Sequence, residues 1–447
     1  MVNNMVNKQR SWKCTVCGEI VNGEFPPEDC PVCGVGSDKF IEVTKDDSPY
    51  QNDSKERFII VGGGPAGTIA ADEIRKRNRT AYIEIISRED VIGYNRPMLT
   101  KGIMRAINMK GFFIRDYSWY LENKIHITLD KEVVSIDSKM KTIKLNDGTV
   151  KEYDKLILTT GAESTIPPLD GLDKKGVFVL RSLKDVEDVK DYIKDCGKKA
   201  AVIGAGVLGL EIASEMNKMG LDVTIIQRSG VIMGKQLDPE GARLLEKAIL
   251  AKGTKIRTGV DILGIQGQRE ATGVILGEGE VIPADIVILS TGVSENSRLA
   301  EEAGAEVSKG IVVNEKMETA LTDVYAAGDC ARFQGTNYAI WPQAINMAKV
   351  AAKNATGEEA TYKGTIPSVS FVGFGTAVFS VGDHGNKEGV SYETKEYLDE
   401  EKIIYKKYYF IDGKFCGGIL IGDTSKLTDL LKAYGEKRSI SEMDEKA

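Results

Sequence analysis

The chain has 447 residues, 42% of them hydrophobic, and a net charge of −7 from 59 basic and 66 acidic side chains spread along its length. That is too long for one hydrophobic core and suggests about three domains. The evenly mixed, mildly acidic charge points away from nucleic acid and from a membrane surface as partners. With a polar start at residues 1–10 and no run of about 18 apolar residues, the expected location is cytoplasmic.

Of seven cysteines, four form two close pairs near the start, and Cys196, Cys330 and Cys416 stand alone. This usage suits a metal site in a reducing compartment better than a disulfide framework. The pairs are Cys14-Thr15-Val16-Cys17-Gly18 and Cys30-Pro31-Val32-Cys33-Gly34, twelve residues apart. Two such knuckles supply four thiolates, Cys14, Cys17, Cys30 and Cys33, enough to close a tetrahedral site on one ion. Sulfur ligation of this kind suits both iron and zinc. Trp12, Phe25 and Phe40 are the expected small core of a module that burial alone cannot stabilise at this size. The stretch from Trp12 to Phe40, with Pro26-Pro27 before the second knuckle, resembles the short rubredoxins found in rubrerythrins. That resemblance implies one iron and a one-electron carrier over residues 11–43; a structural zinc ribbon is the alternative.

Residues 44–56 turn polar and read as a linker. Treated as flexible, roughly a dozen residues reach about 20 Å. Between Ser11 and Glu42 two lysines face six acids, so the module carries −4 and wants a basic dock.

Next, Arg57-Phe58-Ile59-Ile60-Val61 runs into Gly62-Gly63-Gly64-Pro65-Ala66-Gly67 and a helical pattern from Thr68. Strand, glycine turn and helix, with Gly62, Gly64 and Gly67 in G-x-G-x-x-G register, let the backbone and the helix N-terminus receive a pyrophosphate. The following strand ends at Ser87-Arg88-Glu89, where such folds place an acid on the adenosine ribose; Ser87 falls nearest that slot, and Glu89 is the expected ribose ligand. Tyr94-Asn95-Arg96-Pro97-Met98-Leu99-Thr100-Lys101 then resembles the Y-x-R-P-x-L-S-K element of the flavin-dependent pyridine nucleotide oxidoreductases, in the NAD(P)H:rubredoxin oxidoreductase and nitrite-reductase-like branch. The resemblance places Arg96, Pro97 and Lys101 against FAD, with Thr100 in place of the usual serine. No cysteine occurs between Cys33 and Cys196, so a thiolate relay beside the flavin has no nucleophile.

Short strands and turns continue to a buried run ending in Thr160-Gly161, which resembles the family's crossover between domains. The glycine fingerprint then repeats about 140 residues after the first: Ala200-Ala201-Val202-Ile203-Gly204-Ala205-Gly206-Val207-Leu208-Gly209-Leu210-Glu211. Two such turns suit two dinucleotides, a buried flavin and an exchanging nicotinamide. Glu211 resembles the acid that the family pairs with the flavin-side lysine, which predicts a catalytic Lys101/Glu211 pair. The next strand ends at Gln227-Arg228-Ser229 where an NADH site wants Glu, so NAD(H) and NADP(H) both stay open, with the family branch favouring NADH.

Further on, Gly292 ends a second apolar run, and Ala326-Ala327-Gly328-Asp329 resembles the family's second flavin motif, with Asp329 on the ribityl chain. Trp341-Pro342-Gln343 and the small-residue helix after it also fit this branch. Cys330 reads as a packed small residue. In the last segment Asp412-Gly413 between two β-rich runs predicts a hairpin, and Lys406, Lys407 and Lys414 form an expected basic rim for the acidic module.

The expected fold class is therefore α/β. Two Rossmann-like domains bind FAD (57–165 and 283–360) and NAD(P) (166–282), followed by a C-terminal α+β interface domain (361–447) and preceded by the rubredoxin-like module. By resemblance, the chain moves electrons from NAD(P)H through FAD to its own iron. The downstream acceptor would be a flavodiiron protein or rubrerythrin that removes oxygen, peroxide or nitric oxide in anaerobes, and a homodimer is compatible with the family. Two other readings stay open: an electron-entry subunit of a larger redox complex, and a non-catalytic redox sensor with a zinc ribbon.

Overall fold

A computed structural model describes residues 10–16, 20–30, 35–43, 51–102 and 111–443. Two parallel five-stranded sheets form the centre, and they are built alike. In the first, the glycine-turn strand Arg57–Val61 lies between Tyr82–Ile86 and Lys155–Leu158, with Ile125–Thr128 and Val324–Ala326 at the edges. In the second, Lys199–Ile203 lies between Asp222–Gln227 and Ile286–Leu289, with Lys255–Thr258 and Val177–Val179 outside. The inner strands of each sheet are almost continuously buried, as a parallel sheet covered on both faces requires, while the edge strands Val177–Val179 and Lys255–Thr258 are partly exposed. The ligand crevice of each sheet falls at its switch point, beyond the C-terminal end of the glycine-turn strand.

This topology corrects one expected boundary. Ile286–Leu289 pairs in parallel with Lys199–Ile203, from Ala200 opposite Ile286 to Ile203 opposite Leu289. It belongs to the second domain, which therefore extends past residue 282. The chain leaves and re-enters the first domain through an antiparallel ribbon, Ala162–Ser164 with Val293–Glu295, and Thr160 and Asn296 bond each other across it (Thr160 Oγ1 to Asn296 O 2.6 Å, Asn296 Nδ2 to Thr160 O 3.0 Å).

The C-terminal domain is a five-stranded antiparallel sheet with the helix Leu427–Glu436 against it. Its strands Ile404–Ile411 and Lys414–Ile421 are joined at Asp412-Gly413, both at positive φ (50° and 69°), the turn that matches strand twist. Phe371, Val378, Tyr405, Tyr409 and Ile421 share a core with Leu244, Leu245 and Ile249 of the nucleotide domain.

The metal module is a three-stranded antiparallel sheet, Ile20–Gly23, Arg10–Cys14 and Phe40–Val43. Trp12 and Phe40 enter its core, but Phe25 does not: it is 71% exposed. The expected linker is also shorter than read. Residues 44–50 lie outside the described residues, while 51–56 are bonded to the flavin domain. The Asn52 amide donates to Arg77 O (2.8 Å), its side chain donates to Thr356 O (3.0 Å), and Asp53 accepts from the Arg79 amide (2.8 Å) and pairs with its guanidinium.

Candidate functional site

Both glycine turns use their three glycines in the same way. Gly62 and Gly204 have φ of +115° and +112°, and a Cβ on either would lie 2.2 Å from Thr159 O or 2.0 Å from Ser290 O on the neighbouring strand end. At Gly67 and Gly209 a Cβ would sit 2.0 Å from the carbonyl of the first glycine, so only glycine lets the helix close onto the turn. At Gly64 and Gly206 a Cβ would meet nothing within 4 Å. The middle glycines thus face open space, as backbone that receives a pyrophosphate must. The helices that follow, Pro65–Arg77 and Val207–Lys218, have no side-chain cap and no acid in the first turn. Their first N–H groups suit an anion.

The first turn opens into a cavity of about 1370 Å³. Gly62, Gly64, Pro65 and Ala66 line it from the turn, Ser87, Arg88 and Glu89 from the second strand end, and Arg96, Thr160, Gly161, Gly328 and Asp329 from elsewhere in the chain. Among the described residues, no cysteine lines it. Cys330, next to Asp329, is fully buried, and burial pushes its thiol pKa up, which fits a packing role. The open glycine cradle and the convergence of these two chain segments fit FAD.

Several expected residues have a different place. Glu89 was the expected ribose ligand, but both its oxygens are engaged: the Tyr94 hydroxyl donates to Oε2 (2.5 Å) and Arg96 pairs with Oε1. Arg96 also stacks on the Tyr94 ring and donates to Arg181 O (2.6 Å). Ser87 remains at the strand end, buried, and Arg88 bonds Glu163 (2.9 Å). Pro97 lies in the turn Arg96–Met98 behind the cavity wall, and Gly292, at φ +103°, begins the return ribbon. Asp329 is met by Arg181 (2.7 Å), whose Nε also donates to Ala162 O (2.9 Å). Sequence reasoning missed Arg181, 148 residues away, because nothing local marks it. Thr159 was also missed, although it adjoins Thr160; its hydroxyl bonds Val61 O (3.0 Å) and Gly62 O (2.9 Å) and so fixes the turn.

At the junction of the two dinucleotide domains, the direct partner of Glu211 is Thr100, whose hydroxyl donates to Oε2 at 3.0 Å. Lys101 makes no ion pair with Glu211, which corrects the expected direct pairing: Lys101 follows Thr100 in the same short helix, Leu99–Gly102, and it is Thr100 that meets the carboxylate. Burial pushes the Glu211 pKa up to about 7, against the Thr100 hydrogen bond and the charge of Lys101, which lower it.

At the second turn, Val207 and Leu208 open the helix. Gln227 accepts from the Ala205 amide (3.0 Å) and donates to the Ser229 hydroxyl (2.6 Å), so its side chain buttresses the turn, while Arg228 is exposed. The middle-glycine opening here fits a second dinucleotide, and a neutral Gln227 leaves both coenzymes compatible.

Of the four expected metal ligands, Cys17 and Cys33 lie outside the described residues. Cys14 and Cys30 are buried together (0% and 2% exposed) in a core that also holds Phe40, Trp341 and Ile345. Soft sulfur donors converging in a small apolar core suit iron or zinc. Trp341, expected on the cofactor, is instead part of this joint and does not line the large cavity; its buried Nε1 has no hydrogen-bond partner among the described residues. Its helix nevertheless reaches the cavity through Ala344, one turn on. Among the described residues, the module makes no bond to the expected lysine rim, of which Lys414 is exposed. Lys406 pairs with Asp423 (2.9 Å), and Lys407 with Glu396 (2.9 Å) and Asp238 (3.1 Å), all within the body of the protein.

The family model for pyridine nucleotide-disulphide oxidoreductases matches residues 56–355; those for the rubrerythrin rubredoxin-like domain and the rubredoxin NAD+ reductase C-terminal domain match 12–41 and 367–438. The chain is 30% identical over 395 residues to the NADH-rubredoxin oxidoreductase of Clostridium acetobutylicum, covering 87% of this chain and 97% of that one. The crystal structure of NADH:rubredoxin oxidoreductase from that organism superimposes with a TM-score of 0.73 at 29% identity, over 88% of this chain and 98% of the other. The nitrite reductase [NAD(P)H] of Bacillus subtilis is 34% identical over 390 residues, 87% of this chain but 48% of that protein, so the chain spans about half the length of this relative. These matches carry FAD and NAD(P)(H) as cofactors and, through the rubredoxin-like segment, an iron site. With two fingerprint turns and both flanking domains in order, the chain belongs to the pyridine nucleotide-disulphide oxidoreductase family.

Proposed function

We propose that this chain is an NAD(P)H:rubredoxin oxidoreductase that carries its own rubredoxin and passes electrons onward to a separate protein that reduces oxygen, peroxide or nitric oxide. The observation that carries the reading is the seat of the metal module. Cys14 and Cys30 share a core with Trp341 and Ile345, on the helix whose Ala344 lines the flavin cavity, so the two redox sites belong to one folded unit.

FAD held here would supply the change from the two-electron chemistry of a nicotinamide to the one-electron chemistry of an iron site. The residues of the chain bind, orient and tune. Gly64 and Gly206 present bare backbone to the two pyrophosphates, and the uncapped helix starts at Pro65 and Val207 offer N–H groups to their charge. Asp329, steadied by Arg181, offers a carboxylate to sugar hydroxyls. Lys101, next to Thr100, brings a positive charge to the junction of the two domains, where it would stabilise negative charge on a reduced flavin. Glu211, held by Thr100, sets the local field there. Among the described residues no cysteine lines the cavity, which supports direct transfer rather than a thiol relay.

The test is visible spectroscopy with metal analysis during anaerobic titration with NADH and then NADPH. One iron per chain, bleaching together with the flavin, is the expected result, and the better reductant identifies the coenzyme. Zinc in the site, with only the flavin bleaching, would overturn the proposal.

A further inference from the structure

The metal module meets the rest of the molecule through a joint of definite character. Val16 and Val35, one beside each knuckle, pack against the C-terminal core that holds Leu427 and Leu430, while Phe40 packs with Trp341 and Ile345. The module's two lysines lie at this joint. Lys13 lines a cleft of about 220 Å³ with Pro342 and Asn346, and Lys39 Nζ donates to Ser425 O at 3.2 Å.

The Phe25 loop is of opposite character. Phe25 is the most exposed aromatic side chain among the described residues. Glu24, Glu28 and Asp29 beside it are exposed, and none forms an ion pair with a described residue. This loop runs directly into Cys30, which is buried and whose amide is held by Val35 O at 2.7 Å. Among the described residues, charge is segregated within the module: its lysines face the joint, Lys39 also pairing with Asp38 (2.9 Å), while Glu24, Glu28 and Asp29, which form no ion pair there, surround an apolar ring in solvent.

We infer that the Phe25 loop is the surface on which a basic electron-accepting protein docks. The partner would carry an apolar socket for the Phe25 ring and a rim of lysines or arginines for Glu24, Glu28 and Asp29. Exposed aromatics make effective interface anchors because one rigid ring desolvates a large area. The acidic rim steers a basic partner and fixes its orientation. Because this loop lies outside the joint, the module can keep its seat on the flavin domain while the partner is bound. One electron leaves the module and enters the partner's one-electron centre, and no bond forms or breaks. The inference rests on the proposed function, which supplies the electrons from NAD(P)H.

The test uses the full chain and mitochondrial cytochrome c, a basic one-electron haem protein, as probe. Affinity for its redox-inert zinc-substituted form is measured by calorimetry at low and high salt. Anaerobic bleaching of the module by NAD(P)H is followed separately without the probe. The triple variant Glu24→Lys, Glu28→Lys, Asp29→Lys is expected to bind about tenfold more weakly at low salt, with the difference closing at high salt. Phe25→Ser is expected to lose about fivefold at both salt concentrations. The shape-preserving Glu24→Gln, Glu28→Gln, Asp29→Asn variant is expected to fall between wild type and the charge reversal, which guards against misfolding of the reversed module. Binding of all three within twofold of wild type, with metal content intact, would overturn the inference. Failure of NADH and NADPH to bleach the module in the wild type would instead overturn the proposed function, and the binding comparison would still decide the surface.

Discussion

Two joints hold the outer domains to the dinucleotide-binding body, and they are built on opposite plans. Where the C-terminal sheet meets the nucleotide domain, Asp238 is buried and caps the helix Pro239–Ala251 through the Gly241 amide (2.9 Å). It also accepts from the hydroxyls of Tyr405 and Tyr409 (both 2.8 Å) and pairs with Lys407. These bonds hold the Asp238 pKa below the usual carboxylate range although burial opposes them. Where the metal module meets the body, the contact is a small apolar core against the flavin domain, with a hydrogen bond from Lys39 to Ser425 O of the C-terminal domain beside it. A buried, fully bonded carboxylate enforces one geometry, because any displacement strands charge in a low-dielectric interior. A small apolar contact holds a module in place but releases it at modest cost. The C-terminal domain is fixed; the module is seated.

The largest effect should separate the module from the body altogether. Cys14→Ser removes an expected ligand from a module whose stability depends on its metal, a term on the order of 10 kcal/mol for structural sites. Metal content should fall to near zero while flavin content and the main thermal transition stay unchanged. A lowered main transition would show that the two joints are not independent. Next, Asp238→Ala leaves Lys407 and two tyrosine hydroxyls without their buried acceptor, and should cost about 3–5 kcal/mol in urea unfolding. A loss below about 0.5 kcal/mol would place the strength of that joint in its apolar core instead.

Trp341→Ala opens a cavity at the module's seat and should weaken it by about 3 kcal/mol. It should be read as faster amide exchange in the Phe40–Val43 strand with unchanged exchange in the C-terminal sheet. Loss of protection in both would merge the two joints into one. At the third junction, between the dinucleotide domains, Glu211 gives a pH signature. Its folded pKa is raised, so the folded state keeps its proton where the unfolded chain has lost it. Stability therefore falls as pH rises from the ordinary glutamate value of 4.5 to about 7 and levels off above that. Glu211→Gln should flatten this window in chemical denaturation, and an unchanged slope would assign it to another group. The smallest effect belongs to Lys39→Ala, whose hydrogen bond lies at the edge of the module's seat: under about 1 kcal/mol, with metal content and flavin reduction unaltered.

Much of the site was legible before the structure because its requirements are local. Gly62 and Gly204 must be glycine because their own backbone has positive φ and abuts a strand end, and the strand and helix patterns on either side mark that turn. The same holds for Asp412-Gly413, where the residue pair itself selects the hairpin turn. Glu89 shows where local reading ends. It lines the large cavity, but Tyr94 and Arg96 bond its oxygens. Lys406 and Lys407 read as a free basic rim because the sequence does not show that Asp423, Glu396 and Asp238 fold against them. Phe25 read as core because an aromatic in a small module usually is, yet a module seated on a larger body draws apolar packing from its neighbour and can leave a ring in solvent.

The amino-acid sequence by itself determined two dinucleotide turns, a cysteine-paired metal module at the front, a β-rich domain at the end and a flavin site without a thiol relay. Each follows from residue types whose backbone or ligand chemistry permits few alternatives at short range. Only the tertiary structure decided that Arg181 meets Asp329, that Thr100 rather than Lys101 bonds Glu211, that Ile286–Leu289 completes the second sheet, and that the module rests on Trp341. Those pairings join residues far apart in the chain. Their partners are selected by packing and desolvation at the point of contact, which no local pattern records.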